Sequence, residues 1–272
     1  MAEQNAAFVA SIPVNYDRYL GPLFFRGFAD EMAALPDVHP GMRVLETACG
    51  TGLVTERLLA RLAGDGHLVA TDLNEPMLTH AMSKGLPGSH LEWRQADATK
   101  LPFPDGSFDA VVCQFGVMFF PDKALGMREA FRVLKPGGRL YVSVWDSLAA
   151  NPVPRITHET VTTFFPKDPP GFYTVPFSLH DPAVVGGLLG DAGFADIRWE
   201  RVDKTGVSPS AADATLGVID GSPIYLAIME KRSDALPEIR AATAKNLASA
   251  LGERPLRAPL RAVFHSARRP AR

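Results

Sequence analysis

Val44-Leu45-Glu46-Thr47-Ala48-Cys49-Gly50-Thr51-Gly52 decides how this chain is read. Its apolar start reads as a strand, and its acidic residue and two glycines read as a tight turn. Val54, Leu58, Leu59 and Leu62 then recur on one helical face. Strand, glycine turn and helix in that order place a small-molecule cofactor over the C-terminal edge of a parallel sheet. Gly50 and Gly52 can take positive φ and carry no Cβ, so backbone can approach the ligand closely. A second apolar run, Leu68-Val69-Ala70-Thr71, ends in Asp72, 20 residues past Gly52. A carboxylate there can accept hydrogen bonds from ribose hydroxyls. This is the pattern of a nucleoside-cofactor site.

The turn departs from the dinucleotide form, Gly-x-Gly-x-x-Gly, in which the glycines make room for a pyrophosphate. Here Gly50-Thr51-Gly52-Leu53-Val54-Thr55 lacks the third glycine. Glu46 ahead of the turn would repel a pyrophosphate and suits a cationic amino group. A nucleoside with a charged amino-acid tail and no phosphate fits better. On these residues the segment resembles motif I of the class I S-adenosylmethionine-dependent methyltransferases, with Ala48 where the family usually has glycine.

Three further stretches carry the same resemblance. Gln95-Ala96-Asp97-Ala98 follows the apolar run Leu91-Glu92-Trp93. Leu101 to Asp109 leads into the strand Ala110-Val111-Val112-Cys113. Leu134-Lys135-Pro136-Gly137-Gly138-Arg139 ends a helix, turns, and opens the strand Leu140 to Val144. The resemblance implies a Rossmann-like α/β fold: a seven-stranded, mostly parallel sheet, its last strand antiparallel, plus a helical cap. It also implies S-adenosyl-L-methionine as cofactor. Glu46 would stand beside the methionine end, and Thr47, Ala48, Gly50 and Thr51 would run under the amino-acid tail. Asp72 would hold the ribose, Leu73 and Met77 would flank the adenine, and Asp97 and Ala98 would read its edge. Gln114 would lie near the methionine portion, with Tyr19 folding over the cofactor from the N-terminal helices.

Composition is consistent with this and narrows the partners. The 272 residues, 46% of them hydrophobic, can bury one sizeable core with additions. A formal charge of −2 leaves no electrostatic footprint for nucleic acid or an anionic membrane. Two cysteines, Cys49 and Cys113, offer neither a disulfide framework nor metal-ligand spacing. The polar start Met1-Ala2-Glu3-Gln4-Asn5 lacks the pattern of a signal peptide, and no apolar run is long enough to span a bilayer. The expectation is a cytoplasmic protein, monomer or homodimer, acting on a small molecule.

Along the chain, residues 1–40 read as N-terminal cap helices, Tyr16 to Leu20 and Pro22 to Leu35, with Phe24, Phe25 and Phe28 on the apolar side. Residues 41–272 read as the methyltransferase domain, with substrate-cap insertions at about 147–180 and 208–251. The first insertion is rich in proline and aromatics; the second reads as two or three helices. Lys123 to Val133 is predicted helical with Asp122 as N-cap. Asp181 to Ala192 is predicted helical with Asp181 as N-cap, Pro182 at the first position and Gly193 as stop. Phe194 to Val202 gives a sixth strand and Ala258 to His265 a seventh, with Pro259 at its start.

Methyl transfer is an in-line displacement at a carbon activated by a sulfonium, so the protein mainly aligns, holds and dries the reactants. The catalytic residues are therefore harder to read than the cofactor ones. After the fourth strand, Gln114-Phe115-Gly116-Val117-Met118-Phe119-Phe120-Pro121 replaces the Asn/Asp-Pro-Pro-Tyr/Phe run of enzymes that methylate nucleobase or glutamine amides. That wall is apolar and aromatic, suited to a small, partly apolar acceptor. Tyr16, Phe119, His158 and Tyr173 are the candidate substrate contacts, and His180 is a further acid–base candidate. The other readings are an NAD-dependent oxidoreductase and a non-catalytic S-adenosylmethionine-binding protein.

Overall fold

The computed structural model describes Phe8, residues 11–34 and residues 37–271. The polar start Met1 to Asn5 and the expected helix end at Leu35 lie outside the described residues. The first helix, α1, corrects the expectation of two short helices. It runs unbroken through an α-helical turn Ile12–Asn15, a π-helical stretch Tyr16–Phe25 and an α-helical stretch Arg26–Ala33. Pro22 does not break it, because the wider π register replaces the i→i−4 ladder that a proline interrupts; the Arg26 N–H bonds back to the Gly21 carbonyl. Its buried face carries Leu20, Leu23, Phe24, Phe25 and Phe28.

The alternation that follows is the predicted one. It runs β1 (Arg43–Thr47), α2 (Leu53–Leu62), β2 (His67–Asp72), α3 (Glu75–Ser83), β3 (Leu91–Gln95) and β4 (Phe108–Gln114). Next come α4 (Lys123–Val133), β5 (Leu134–Trp145), α5 (Pro152–Thr163), α6 (Pro182–Asp191) and β6 (Ala195–Ser208). The chain closes with α7 (Ala211–Asp220), α8 (Ile224–Arg232), α9 (Leu236–Leu251) and β7 (Leu256–Arg268). Asp122 caps α4 by accepting from the Leu125 N–H, and Asp181 caps α6 by accepting from the Ala183 N–H, both as expected.

All seven strands form one sheet in the order β3-β2-β1-β4-β5-β7-β6. β1, β2, β3, β4 and β5 pair in parallel, and β7 runs antiparallel to both β5 and β6. The chain leaves β1 toward one edge and returns at β4 toward the other. This topological switch opens a crevice beyond the carboxyl ends of the two strands. Val44, Leu45, Val111 and Val112, at most 1% exposed, fill both faces at the centre, as a sheet covered on both sides requires.

Three local expectations are corrected. Lys135-Pro136-Gly137-Gly138 is not a turn ahead of β5 but a bulge inside it: Phe108 pairs with Leu134 and Ala110 with Arg139. The Gly137 N–H donates to the Arg269 carbonyl and the Arg269 N–H to the Gly138 carbonyl, each at 2.9 Å, so the looped residues remain tied to the sheet. β6 continues to Ser208, past Val202, because β7 also extends and pairs with it as far as Leu256. Pro259 sits inside β7 rather than at its start, at a point where β7 has left β5 and pairs only with β6. On α9, Arg240 forms a two-pronged ion pair with the buried Asp220 at the end of α7. Among the described residues no helix is long and apolar enough to cross a membrane.

Candidate functional site

The glycine turn crosses the switch point in left-handed backbone: φ is +53° at Ala48, +56° at Gly50 and +81° at Gly52. Asp72, at the end of β2, braces it from the side. One carboxylate oxygen accepts the Gly50 N–H and the other the Asn74 N–H, each at 2.8 Å. The Asn74 side-chain amide donates to the same oxygen as the Asn74 N–H, at 3.4 Å, so with about two acceptor sites per oxygen it is the oxygen bonded to Gly50 that keeps capacity for a hydroxyl donor. Burial raises the Asp72 carboxyl above its ordinary range.

Glu46 lies one turn deeper, 2% exposed, and accepts from the Thr55 hydroxyl at 2.6 Å. Thr55, standing where a dinucleotide fold has its third glycine, is thus the partner of this acid. Burial pushes the Glu46 carboxyl up to about 8, against the opposing hydrogen bond from Thr55. A cation beside it would restore its charge. The Thr51 hydroxyl donates to Asp17 of α1 at 3.0 Å, and Asp17 also meets Lys84 Nζ at 2.5 Å and His80 Nε2 at 3.2 Å. Burial alone would raise the Asp17 carboxyl, but these donors hold it low. They pin α1 across the turn.

A cleft of about 730 Å³ opens over the switch point, and Ala48, Gly50, Asp72, Leu73, Met77, Asp97, Ala98 and Gln114 all line it. Next to it, a hollow of about 330 Å³ is lined by Glu46, Ala48, Gly50, Thr51, Gln114 and Tyr16. Ten of the twelve residues expected around the cofactor therefore surround one continuous space. Thr47 and Tyr19 do not. The Thr47 side chain lines a small apolar cavity with Leu101, Val111 and Cys113 instead. Tyr19 lines neither space: it packs toward Gly217 on α7, with the Arg18 guanidinium 5.1 Å above its ring.

The chemistry of this lining suits S-adenosylmethionine. Carboxylates at Glu46, Asp72 and Asp97 can meet an ammonium, ribose hydroxyls and an adenine amine. Among the described residues the buried Gln114 Oε1 has no hydrogen-bond partner, which leaves an acceptor facing the cleft. Asp97 is already oriented, one oxygen accepting the Thr99 N–H at 2.8 Å and the Thr99 hydroxyl at 2.7 Å.

A third space, an aromatic cavity of about 590 Å³, adjoins the cleft and shares Phe8, Tyr16, Phe115 and Phe119 with it. Its walls come from α1, from the ends of β4 and β5, and from both segments read as insertions: Pro154, Phe172 and Phe177 in the first, Val218 and Ser222 in the second. Tyr16 stacks on Phe25 with ring centroids 4.7 Å apart, and Phe115 stacks on Trp145 at 4.0 Å. Burial, then Asp72, then Asp17 push the Tyr16 phenol far above its ordinary range. Tyr173 lines the cavity, but its hydroxyl donates to the Val218 carbonyl at 2.9 Å. His158 is not on the wall; its ring lies 6.2 Å from that of Tyr173, and its buried Nδ1 has no partner. His180 is exposed, its Nδ1 2.9 Å from the Phe177 carbonyl.

Sequence reasoning named Phe115 only within the aromatic wall after the fourth strand and gave no individual site role to Phe8, Trp145, Phe172 or Phe177. The signal available was the density of aromatics in the first 30 residues and in the proline-rich insertion.

A family profile described as a methyltransferase domain matches residues 45–142, from β1 into β5. The ubiquinone/menaquinone biosynthesis C-methyltransferase UbiE of Ectopseudomonas mendocina is 33% identical over 183 residues, covering 62% of this chain and 71% of that one. UbiE of Teredinibacter turnerae is 35% identical over 183 residues, covering 61% and 72%. Among solved structures, phosphoethanolamine N-methyltransferase 2 of Haemonchus contortus, in complex with S-adenosyl-L-methionine, aligns with a TM-score of 0.60 at 17% identity, covering 95% of this chain and 56% of that one. The YcgJ protein of Bacillus subtilis aligns with a TM-score of 0.53 at 20% identity, covering 90% and 97%. With the fold, the acidic glycine turn and these relatives together, the chain belongs to the class I S-adenosylmethionine-dependent methyltransferases and resembles the quinone-biosynthesis C-methyltransferases.

Proposed function

We propose that this methyltransferase acts on a small, partly apolar organic molecule seated in the aromatic cavity, with its accepting atom turned toward the cofactor cleft. The observation that carries this reading is the shared wall: Tyr16, Phe115 and Phe119 belong to both spaces, so an occupant of one meets an occupant of the other. S-adenosylmethionine supplies a methyl group already activated on a sulfonium. On this reading Asp72 takes the ribose hydroxyls, Asp97 and Ala98 the adenine edge, and Leu73 and Met77 its faces. Glu46 and Gln114 take the ammonium and methionine end, and the backbone of Ala48, Gly50 and Thr51 supports the tail. The N-terminal helix and the two insertions act as the substrate cap, and their aromatic walls exclude water from the transfer. The balanced charge supports a cytoplasmic enzyme with a small-molecule acceptor rather than nucleic acid.

Calorimetric titration with S-adenosylmethionine, S-adenosylhomocysteine and NAD tests the cofactor half, with binding expected for the first two alone. Phe172→Ala tests the acceptor half, because Phe172 lines the aromatic cavity and not the cofactor cleft. It should raise the acceptor KM by about tenfold, the loss of one aromatic contact, and leave S-adenosylhomocysteine affinity within about twofold. Weakened cofactor binding with an unchanged acceptor KM would reverse the assignment of the two spaces.

A further inference from the structure

Among the described residues, the lining of the aromatic cavity includes no carboxylate, histidine, lysine or arginine that could take a proton from an acceptor. Ten of its sixteen lining residues are aromatic, and none is Asp, Glu, His, Lys or Arg. Its neutral polar groups are already committed. The Tyr173 and Ser222 hydroxyls both donate to the Val218 carbonyl, at 2.9 and 2.8 Å. Asn151 accepts the Arg261 N–H at 3.0 Å and donates to the Ser147 and Arg261 carbonyls, each at 3.1 Å. Tyr16 keeps its proton at neutral pH, and His158 stands behind the wall.

The charges that bear on the shared wall have one sign. Asp72 lines the cleft beside Tyr16, and Glu46 lines the hollow beside it. Asp17 lies close as well, though Lys84 and His80 offset it. No Lys or Arg is among the described residues lining these spaces, so an anionic acceptor would find no side-chain cation there and would meet only the cofactor's own sulfonium. Such a site favours a neutral molecule that becomes positive, since aromatic faces and nearby acids both attract a cation.

We infer that the acceptor is an apolar arylamine, uncharged at neutral pH, whose nitrogen becomes an ammonium held among the aromatic rings at the cleft. The inference rests on the methyl-transfer reading given above. The nitrogen lone pair forms the N–C bond as the C–S bond breaks. The sulfur keeps that electron pair, and the positive charge passes from sulfur to nitrogen. A tertiary amine ends as a quaternary ammonium with no proton to remove; a primary or secondary amine loses its proton to water after transfer. A phenol or a carbon acid would instead have to give up a proton at the acceptor, and the described lining residues include no side chain suited to take it.

The test measures binding to the full chain loaded with S-adenosylhomocysteine, comparing phenyltrimethylammonium with its neutral carbon isostere tert-butylbenzene. The cation should bind at least about fivefold tighter, within the range of desolvated cation–π contacts. Phe119→Leu and Phe172→Leu, which keep apolar volume and remove a π face, should each move that ratio toward one. Equal or tighter binding of the isostere, or binding of neither, overturns the amine assignment. So does methylation of matched phenols with none of matched amines. Failure of S-adenosylhomocysteine itself to bind would instead overturn the methyl-transfer reading beneath it.

Discussion

Ala48 and Gly116 face each other across the switch point, and exchanging their side chains probes how the cofactor cleft is shaped. Ala48 holds φ at +53°, a conformation that costs an L-residue about 1–2 kcal/mol. Ala48→Gly removes that strain but adds about 0.5–1 kcal/mol of unfolded-chain freedom, so the net gain is about 0–1.5 kcal/mol. Gly116 has an ordinary φ of −103°, so an alanine there meets no backbone penalty. Its Cβ, however, would overlap the Ala48 Cβ and fall 2.9 Å from Cys113 Sγ. Gly116→Ala alone should therefore cost about 1–3 kcal/mol through overpacking. In the double variant the first overlap disappears and only the Cys113 contact remains. A double-mutant cycle by urea denaturation should give a coupling of about 1–2 kcal/mol in favour of the exchanged pair. Additivity within about 0.5 kcal/mol would show that the two positions do not share this space. The same proteins, titrated with S-adenosylhomocysteine, report whether the volume of the turn sets cofactor affinity.

Two further outcomes follow from the acids of the cleft. Asp72→Ala should weaken S-adenosylmethionine binding by about ten- to a hundredfold in calorimetry, the loss of a bidentate hydrogen-bonding carboxylate. It should also lower thermal stability modestly, since it strips the Gly50 and Asn74 N–H groups of their acceptor; an unchanged affinity would remove Asp72 from the cofactor site. Glu46 predicts a pH dependence of known sign. Its folded pKa, about 8, lies above its ordinary value of 4.5, so its contribution to apo stability is complete below about 4.5 and is lost as pH rises through about 8. An ammonium bound beside Glu46 favours the charged form. Calorimetry in buffers of different ionisation enthalpy should therefore show up to about one proton released on cofactor binding below pH 8, falling toward none above it. Proton release that does not vary with pH, or that survives in Glu46→Gln, would refute the pairing.

The parts legible in the sequence were those written in short-range pattern. The strand-turn-helix of Val44 to Leu62, the acid closing β2, and the caps at Asp122 and Asp181 each depend on residues within a few positions of one another. Misreadings arose where a local signal was overruled from afar. No helix was read in the proline-rich first insertion, yet Pro152 and Pro154 occupy the opening turn of α5, where a missing N–H costs nothing. Pro22 suggested a break that the π register absorbs, and Pro136-Gly137-Gly138 suggested a turn that the C-terminal tail holds within the sheet. The aromatic cavity was the least legible part. Phe8, Phe25, Phe115, Trp145 and Phe172 meet only after the sheet has formed, and no spacing in the chain announces that meeting. Ten of the residues proposed around the cofactor line adjoining spaces because one crossover and its neighbours supply them; Thr47 and Tyr19, placed there by the family resemblance alone, turn to a small apolar cavity and to α7 instead.

β6 closes one side of the sheet with 14 residues and, among the described residues, a single strand partner, so a row of its outer backbone donors and acceptors has no neighbouring strand. Such a row is a template on which another chain could add a strand and begin an aggregate. Arg198, Glu200, Arg201, Asp203 and Lys204 are spaced along it, and three of them are tied down, Arg201 to Asp146, Asp203 to Arg261 and Lys204 to Glu31. An incoming strand would have to strip water from these charges. The length that lets β6 reach the aromatic end of the molecule thus comes with its own guard against intermolecular sheet growth.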